Sequence, residues 1–293
     1  MDKIFFNGRI RTLDDAGHVA EAVGVENGKI VFTGTNEEAE KIACEEKVDL
    51  GGRLLLPGFV DTHLHMLHYA FVERSVKLFD CTSVEEMLDA AKKRIEEHAG
   101  KPLTWLYCRG WNEEHFADPR YPHKDELDAL STEIPIIMVR VCGHVGVCNS
   151  RGLELLKTIP QFSEIEKDVD LETGLIKENA VQFYYSLLDT PSQEEVENYI
   201  TYSAKKLNEC GFTGVQSDDL AALPGKNWKR IMNAYKALDA RGELNVRHYE
   251  QCLFERFDDA KAFVEEGYRT GQRGDHFTIG PMKLIQDGSL GAR

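Results

Sequence analysis

The sequence lacks any pair of cysteines at the C-x-x-C spacing, although seven cysteines are spread over its 293 residues, at positions 44, 81, 108, 142, 148, 210 and 252. An odd, scattered set argues against a disulfide framework and a zinc ribbon, and it fits a reducing compartment. The strongest apolar run, IPIIMV at 134–139, is far too short to cross a bilayer. The start, MDKIFFNGRI, has no apolar segment typical of a signal peptide. These absences predict a soluble, cytoplasmic protein.

Basic residues are scarce relative to acidic ones, 35 against 50, which leaves a formal net charge of −15. Such a surface repels phosphate backbones and anionic lipids, so the sequence predicts neither a nucleic-acid partner nor a membrane partner. The electrostatic field of an acidic surface also attracts cations, metal ions included. Acidic surfaces nevertheless commonly serve solubility alone. Hydrophobic residues make up 42% and charged residues 29%, which is ordinary for a globular chain with a large core.

The first 53 residues have the pattern of a small β-domain. IFFNGRIRT and AVGVENGKIVFTG each place Asn-Gly between two strand-like runs, and Asn-Gly favours the type I′ turn of a hairpin. Two hairpins are therefore predicted, followed by a short helix over 36–47 with Asn36 as its cap. The next run, LLLPGFVDTHLH at 54–65, is apolar on both faces, which is typical of a parallel strand buried between layers.

Two helices are predicted from capping boxes, formed by Ser83 with Glu86 and by Ser192 with Glu195. Between them, the region of about 80–190 contains the strand-like stretches LTWLYCRG and IPIIMVRVCGH and is interpreted as an insertion. After it, FTGVQSDD, LNVRHYEQCL and FTIGPMKLIQDGS alternate with helical segments. That alternation predicts βαβ units with a parallel sheet, which has four strands when the histidine-bearing strand is included.

His63 and His65 are the strongest candidates for chemistry. Side chains at i and i+2 of a strand share a face, so both imidazoles project together. At the C-terminal end of a barrel strand, that face opens onto the catalytic mouth. Two imidazoles there can bind one divalent cation and leave the open positions that a catalytic site needs. An isolated H-x-H is more often a pair of hydrogen-bonded core histidines, so the context decides between the two interpretations.

The context is a series of motifs that occur in order along the chain. They are LLLPGFVDTHLH, RGWNEEHF at 109–116, ELDAL at 126–130, CGHVGVCNSRGLELL at 142–156, TGLIKENA at 173–180, GFTGVQ at 211–216 and MKLIQDGSLGAR at 282–293. Together they resemble the amidohydrolase superfamily, in the branch of metal-dependent hydrolases similar to N-substituted formamide deformylase.

The resemblance implies an α/β fold with a partial TIM-type (β/α)8 barrel. About half of the barrel would occupy 54–293, with an insertion after its first strand, and an incomplete small β-domain would occupy 1–53. A complete barrel needs eight strands, so this part would be open.

The resemblance also implies the site residues. His63 and His65 would bind a divalent metal, with zinc as the default and one or two ions present. Lys283, on the fourth strand, would bridge two metals as a carbamate, because a neutral lysine amine can add carbon dioxide. Lys283 and His144 are the candidate catalytic residues, and Trp111 and His144 are the candidate substrate-binding residues.

Most of these candidates have a plainer alternative. Lys283 could simply pair with Asp287, His144 could sit on an exposed turn, and Trp111 could belong to the core. His68 is expected to support the site or face solvent, and capping or solvation is expected for Asp218 and Asp219. The remaining histidines have no partner spacing and are assigned no role: His18, His98, His115, His123, His248 and His276.

The family pattern continues with histidines on the fifth and sixth barrel strands and with an aspartate, the general base, on the eighth. The chain is therefore expected to be a truncated, inactive half whose exposed barrel edges would permit self-association. For the full-length parent, the resemblance implies hydrolysis by metal-activated water of a carbon–nitrogen bond other than a peptide bond, in an amide or formamide of a small molecule. Two alternatives remain open: a deaminase of a cyclic amidine, and a non-catalytic metal-binding or assembly half barrel.

Overall fold

The computed structural model describes residues 1–98 and 103–285. The chain divides into two units, Met1–Phe59 and Val60–Arg293. Strands and helices alternate along it, so the predicted α/β class is confirmed. Within the described ranges, no helix is both long and apolar enough to cross a bilayer. All seven cysteines are free thiols.

The first unit contains two small sheets and one short helix. Its elements are β1 (Lys3–Phe6), β2 (Arg9–Arg11), β3 (Val19–Ala20), β4 (Ala22–Glu26), β5 (Lys29–Gly34), α1 (Asn36–Glu40), β6 (Glu46–Asp49) and β7 (Leu54–Leu55). One sheet has the strand order β5-β4-β1-β6, and the other has the order β3-β2-β7. Buried Ile4, Ala22 and Ala39 form the core of this unit.

One of the two predicted hairpins forms. Asn27-Gly28, with φ angles of 50° and 71°, joins antiparallel β4 and β5. At Asn7-Gly8 the chain instead leaves the first sheet, since β1 pairs with β4 and β6, while β2 pairs with β3 and β7. The side-chain amide of Asn7 donates a hydrogen bond to the carboxylate of Asp49, the last residue of β6, at 2.8 Å. The hairpin prediction at Asn7 is wrong because β1 already has a neighbour on each side.

The second unit is reached through β8 (Phe59–Leu64), which is followed at once by α2 (Met66–Glu73). An insertion then forms its own sheet, with the order β13-β12-β11-β10-β9. Its elements are β9 (Val76–Lys77), α3 (Val84–Glu97), β10 (Leu106–Trp111), α4 (Lys124–Asp128), β11 (Ile136–Arg140), β12 (Val145–Cys148), α5 (Ser150–Leu156), α6 (Phe162–Ile165), β13 (Leu175–Lys177) and α7 (Asn179–Leu187). Short 3₁₀ turns occupy Glu113–His115 and Glu166–Asp168.

The sheet that contains β8 continues after the insertion. Its elements are α8 (Gln193–Glu209), β14 (Phe212–Ser217), the 3₁₀ turn Asp219–Ala221, α9 (Trp228–Ala240), β15 (Arg247–Leu253), α10 (Phe257–Glu265) and β16 (Phe277–Lys283). The four strands form one sheet in the order β16-β15-β14-β8, and β14, β15 and β16 run parallel. The four-stranded sheet predicted from the alternation is confirmed, and the described residues form no closed barrel.

The helix predictions differ from the structure at their ends. Ser192 and Glu195 form the predicted capping box at the start of α8. Ser83 caps α3, but the carboxylate of Glu86 turns back to the backbone N–H of Thr82 at 2.7 Å. The helix predicted over 36–47 is only α1, and its cap is Thr35 rather than Asn36.

The apolar run at 54–65 is split between two elements, β7 and β8, on either side of Pro57-Gly58. Phe59 and Val60 are 53% and 58% exposed. The prediction of a strand buried on both faces is wrong for the described residues, because Phe59 and Val60 point to opposite faces of β8 and both are exposed.

One buried side-chain amide in the insertion, that of Asn149, bonds four backbone groups. The side chain of Asn149 accepts hydrogen bonds from the backbone N–H groups of Ile136 (3.0 Å) and Gly152 (2.9 Å). It donates to the carbonyl oxygens of Ser131 (2.8 Å) and Ile134 (2.9 Å). Asn149 is fully buried, so it both caps α5 and fixes the loop that enters β11.

We expect Asn149→Ala to lower the free energy of unfolding by about 3 kcal/mol, because four backbone groups lose their partner and two of these hydrogen bonds, from the N–H groups of Ile136 and Gly152, are buried. Ser192→Ala is the matched control: it removes an N-cap that is exposed, so about 1 kcal/mol is expected. Urea denaturation followed by circular dichroism measures both. Equal losses for the two variants would contradict the role given to the buried amide.

Candidate metal centre

Four polar side chains meet where the strands of the four-stranded sheet end. His63 is near the end of β8, His65 directly follows it, Asp218 directly follows β14, and Lys283 ends β16. All four line one cleft of about 790 Å³. The structure therefore brings together the three residues for which the sequence predicts metal binding, His63, His65 and Lys283.

The two histidine rings lie next to each other. Their centroids are 5.4 Å apart and their planes are inclined by 75°. The carboxylate of Asp61 accepts a hydrogen bond from the backbone N–H of His63 at 3.0 Å. This bond holds the backbone at the end of β8. His65 is the single residue between β8 and α2, and it occupies the N-cap position of the helix. Both imidazoles remain accessible to the cleft.

Asp218 joins His65 to Lys283. Its buried carboxylate contacts Nδ1 of His65 with one oxygen and accepts from Nζ of Lys283 with the other, at 2.5 Å. Burial raises the pKa of Asp218, but the hydrogen bonds from His65 and Lys283 outweigh burial and lower it below its ordinary value. The hydrogen bond to Asp218 in turn raises the pKa of His65.

The position of His65 is set by the start of α2. A helix leaves its first backbone N–H groups without partners, and His65 offers α2 no side-chain cap. Instead, the hydroxyl of Ser217 accepts from the N–H of Met66 at 2.9 Å, and the carboxylate of Asp219 accepts from the N–H of Leu67 at 3.0 Å. The end of β14 thus caps the helix that begins one residue after β8.

A second polar cluster lies behind the cleft and consists of Asp219, His248 and Glu250. All three are buried, and their ligand atoms lie within 4.8 Å of one another, a spacing that a metal ion requires. The cluster is already bonded internally: Tyr235 donates to Asp219 at 2.6 Å, and His248 Nε2 lies 2.8 Å from Glu250. None of the three lines the cleft.

Burial determines the protonation of this cluster. It raises the pKa of Asp219 to about 6, raises that of Glu250 well above its ordinary value, and lowers that of His248 to about 3. The last two shifts favour the uncharged forms of Glu250 and His248. The other carboxyl oxygen of Glu250 accepts from the backbone N–H groups of Asp219 (2.9 Å) and Leu220 (3.3 Å). The cluster supports the turn that carries Asp218.

The other candidates take different places. His144 lines the cleft and contacts Glu178, with 3.1 Å between Nδ1 and Oε2. Trp111 is fully buried in the core of the insertion, where its indole N–H donates to the carbonyl of Met138 at 3.0 Å. This placement fits the core alternative for Trp111. His68 lines the cleft, and burial lowers its pKa to about 4.

Sequence reasoning missed Asp218, for which capping or solvation was expected. The capping role belongs to its neighbour Asp219, which is buried rather than solvated. The available signal was the position of Asp218 directly after a parallel strand, where side chains reach the same edge as His65. The alternative partner proposed for Lys283, Asp287, lies outside the described residues, and within them Lys283 pairs with Asp218.

Comparison with known proteins gives consistent results. A model of the amidohydrolase family matches residues 46–293. The putative amidohydrolase YtcJ of Bacillus subtilis is 32% identical over 302 residues, which cover 100% of this chain and 55% of that protein. The N-substituted formamide deformylase of Arthrobacter pascens is 28% identical over 250 residues, covering 80% of this chain and 46% of that enzyme.

A crystal structure of an uncharacterized metal-dependent hydrolase from Pyrococcus horikoshii matches with a TM-score of 0.79 and 26% identity. The match covers 99% of this chain and 56% of that one. The chain thus spans about half the length of the relatives it matches. Because the family match extends over most of the sequence, and the histidine pair and Lys283 meet in one cleft, this chain belongs to the amidohydrolase family.

Proposed function

We propose that this chain supplies the first metal-binding half of a hydrolase that cleaves carbon–nitrogen bonds other than peptide bonds, in an amide or formamide of a small molecule. The observation that carries the proposal is the arrangement of His63, His65 and Lys283 around one cleft, with Asp218 behind His65. The relatives whose names describe an amidohydrolase and a formamide deformylase support the choice of bond.

The donor set fits a divalent cation. A histidine that binds a metal commonly gives its other ring nitrogen to a carboxylate, which fixes the tautomer and the ring orientation. Asp218 contacts Nδ1 of His65 in this way and leaves Nε2 free for a metal. We propose that His63 and His65 bind the ion, with zinc as the default for histidine ligands in a hydrolase. A divalent cation there supplies a Lewis acid that lowers the pKa of water and polarises a carbonyl.

Lys283 is an ammonium held by Asp218 in this arrangement. A carbamate requires the neutral amine, so forming it would break this ion pair. We propose that the neutral amine of Lys283 would add carbon dioxide and release a proton, and that the carbamate formed would help to hold the divalent cation. Until then, Lys283 balances the charge of Asp218 at the cleft.

His144 is proposed to contact the substrate. It stands on the loop before β12, lines the same cleft as the histidine pair, and is oriented by Glu178 through Nδ1. Its Nε2 is then available to a substrate group. Trp111 is not proposed as a substrate contact, because it is fully buried in the core of the insertion.

Hydrolysis needs a general base and further ligands, which the family resemblance assigns to later barrel strands. We therefore propose that residues 1–293 are inactive alone and that the parent acts in the cytoplasm on a small molecule. Exposed apolar residues on β8 and near the end of β16, Phe59, Val60 and Met282, support self-association through the sheet edges. Ammonia rather than a carboxylate product would favour deamination of a cyclic amidine.

The metal assignment predicts that His63→Ala and His65→Ala each reduce bound zinc at least tenfold, because each removes one of two neighbouring imidazole ligands. Zinc bound after equilibrium dialysis, measured by plasma mass spectrometry, is the readout. His18→Ala is the control, since His18 is exposed in the first unit and contacts Asp14. Unchanged zinc content in both site variants would contradict the proposed centre.

The role of Asp218 predicts a change in the titration of His65. In the metal-free protein, Asp218→Asn should lower the pKa of His65, because its hydrogen bond to Asp218 is the main cause of the raised value. The wild-type imidazole thus stays protonated to higher pH than that of the variant. Histidine ring signals in ¹H–¹⁵N NMR spectra measure this, with His18, which contacts Asp14 rather than Asp218, as the internal control. A His65 pKa unmoved by the substitution would refute the contact.

A further inference from the structure

The insertion contributes a cation to the same cleft. Arg109 lies on β10, is half-buried, and lines the cleft together with His63, His65 and Lys283. Its position on the insertion sheet means that it faces the metal centre from a different sheet than the one that carries the histidines. It is therefore placed to contact a part of a ligand remote from the metal.

Arg109 differs from the other cations of the cleft in having no acidic partner. Lys283 pairs with Asp218, and Lys226 pairs with Glu255. His144 contacts Glu178. Across residues 1–98 and 103–285, no aspartate or glutamate lies at ion-pair distance from the guanidinium of Arg109. Acidic residues outnumber basic ones in this chain, 50 to 35, so an unpaired arginine is not explained by a shortage of acids.

The guanidinium is flanked by neutral groups. The phenol of Tyr107 shares a hydrogen bond with it. Gly143, with φ of +80°, lies so close that an added Cβ would be 3.1 Å from Nη2, so glycine provides both the turn and the space. The imidazole of His68 is neutral at pH 7, because burial and the charges of Arg109 and His65 lower its pKa to about 4.

A half-buried cation without an anion is costly, because its charge loses water without gaining a partner. The planar fork of a guanidinium matches the two oxygens of a carboxylate. We propose that Arg109 determines substrate specificity by binding a carboxylate, so the substrate is an amide or formamide that also carries a carboxylate group. Val181 and Leu253 on the same cleft offer apolar contact to the remainder of such a molecule. This inference rests on the proposed hydrolase function.

The test compares two probes that differ only in the carboxylate, N-acetylglycine and N-acetylglycinamide. Dissociation constants come from NMR chemical-shift titrations of the 293-residue chain. We expect the wild-type chain to bind the carboxylate about tenfold or more tightly than the amide, the typical effect of a charge-assisted bidentate pair. Arg109→Gln should abolish the preference and Arg109→Lys should retain part of it. Arg256→Gln, at an exposed arginine, is the matched control.

A metal ion could itself attract a carboxylate, so the titrations are repeated without metal and in His63→Ala. A preference that persists there and disappears in Arg109→Gln supports the inference, and circular dichroism together with unchanged zinc uptake establishes that the variant is folded. No preference in the wild type, or an equal preference in Arg109→Gln, overturns it while zinc binding still supports the proposed function. Loss of zinc binding with an intact Arg109-dependent preference would instead overturn the hydrolase proposal.

Discussion

The rest of the site depends on the contacts that the carboxylate of Asp218 makes with His65 and Lys283. Asp218 stands at the end of β14 and joins His65, which follows β8, to Lys283, which ends β16. These two strands are the outer strands of the four-stranded sheet, so one buried anion links its two sides at the edge where the cleft opens. Its charge is tolerated because two basic groups share it.

The residues next to Asp218 are held in place by hydrogen bonds of their own. Ser217 and Asp219, its neighbours along the chain, cap the first turn of α2 and thereby hold His65 in place. Asp219 is in turn held by Tyr235, and its backbone N–H donates to Glu250. A ligand position set by packed, hydrogen-bonded elements is more rigid than one on a free loop. The buried cluster behind the cleft therefore matters for the geometry of the histidine pair even though it does not line the cleft.

The cleft combines two sheets with different tasks. The four-stranded sheet provides the histidine pair, Asp218 and Lys283, which suits it to bind a cation. The insertion provides Tyr107, Arg109 and His144, which can contact the rest of a ligand. The net charge of the chain is −15, and its surface as a whole repels anions. Among the described residues the guanidinium of Arg109 has no acidic partner, so this wall of the cleft attracts an anionic ligand locally. The proposed metal binding and the proposed substrate selection thus rest on separate segments of the sequence.

The alternating pattern of the sequence was enough to predict the α/β class and the four strands. The i, i+2 spacing indicated that His63 and His65 project together, whereas the place of Lys283 beside them came from the resemblance of the motifs to a family. Only the folded structure shows that Asp218 bridges His65 and Lys283, that Trp111 is core and that β8 is exposed. It also shows that Arg109 has no acidic partner within residues 1–98 and 103–285. These outcomes depend on which side chains meet across more than a hundred residues and on which strands have two neighbours. Neither property is encoded in local pattern, because burial and pairing are set by the packing of segments distant in the sequence.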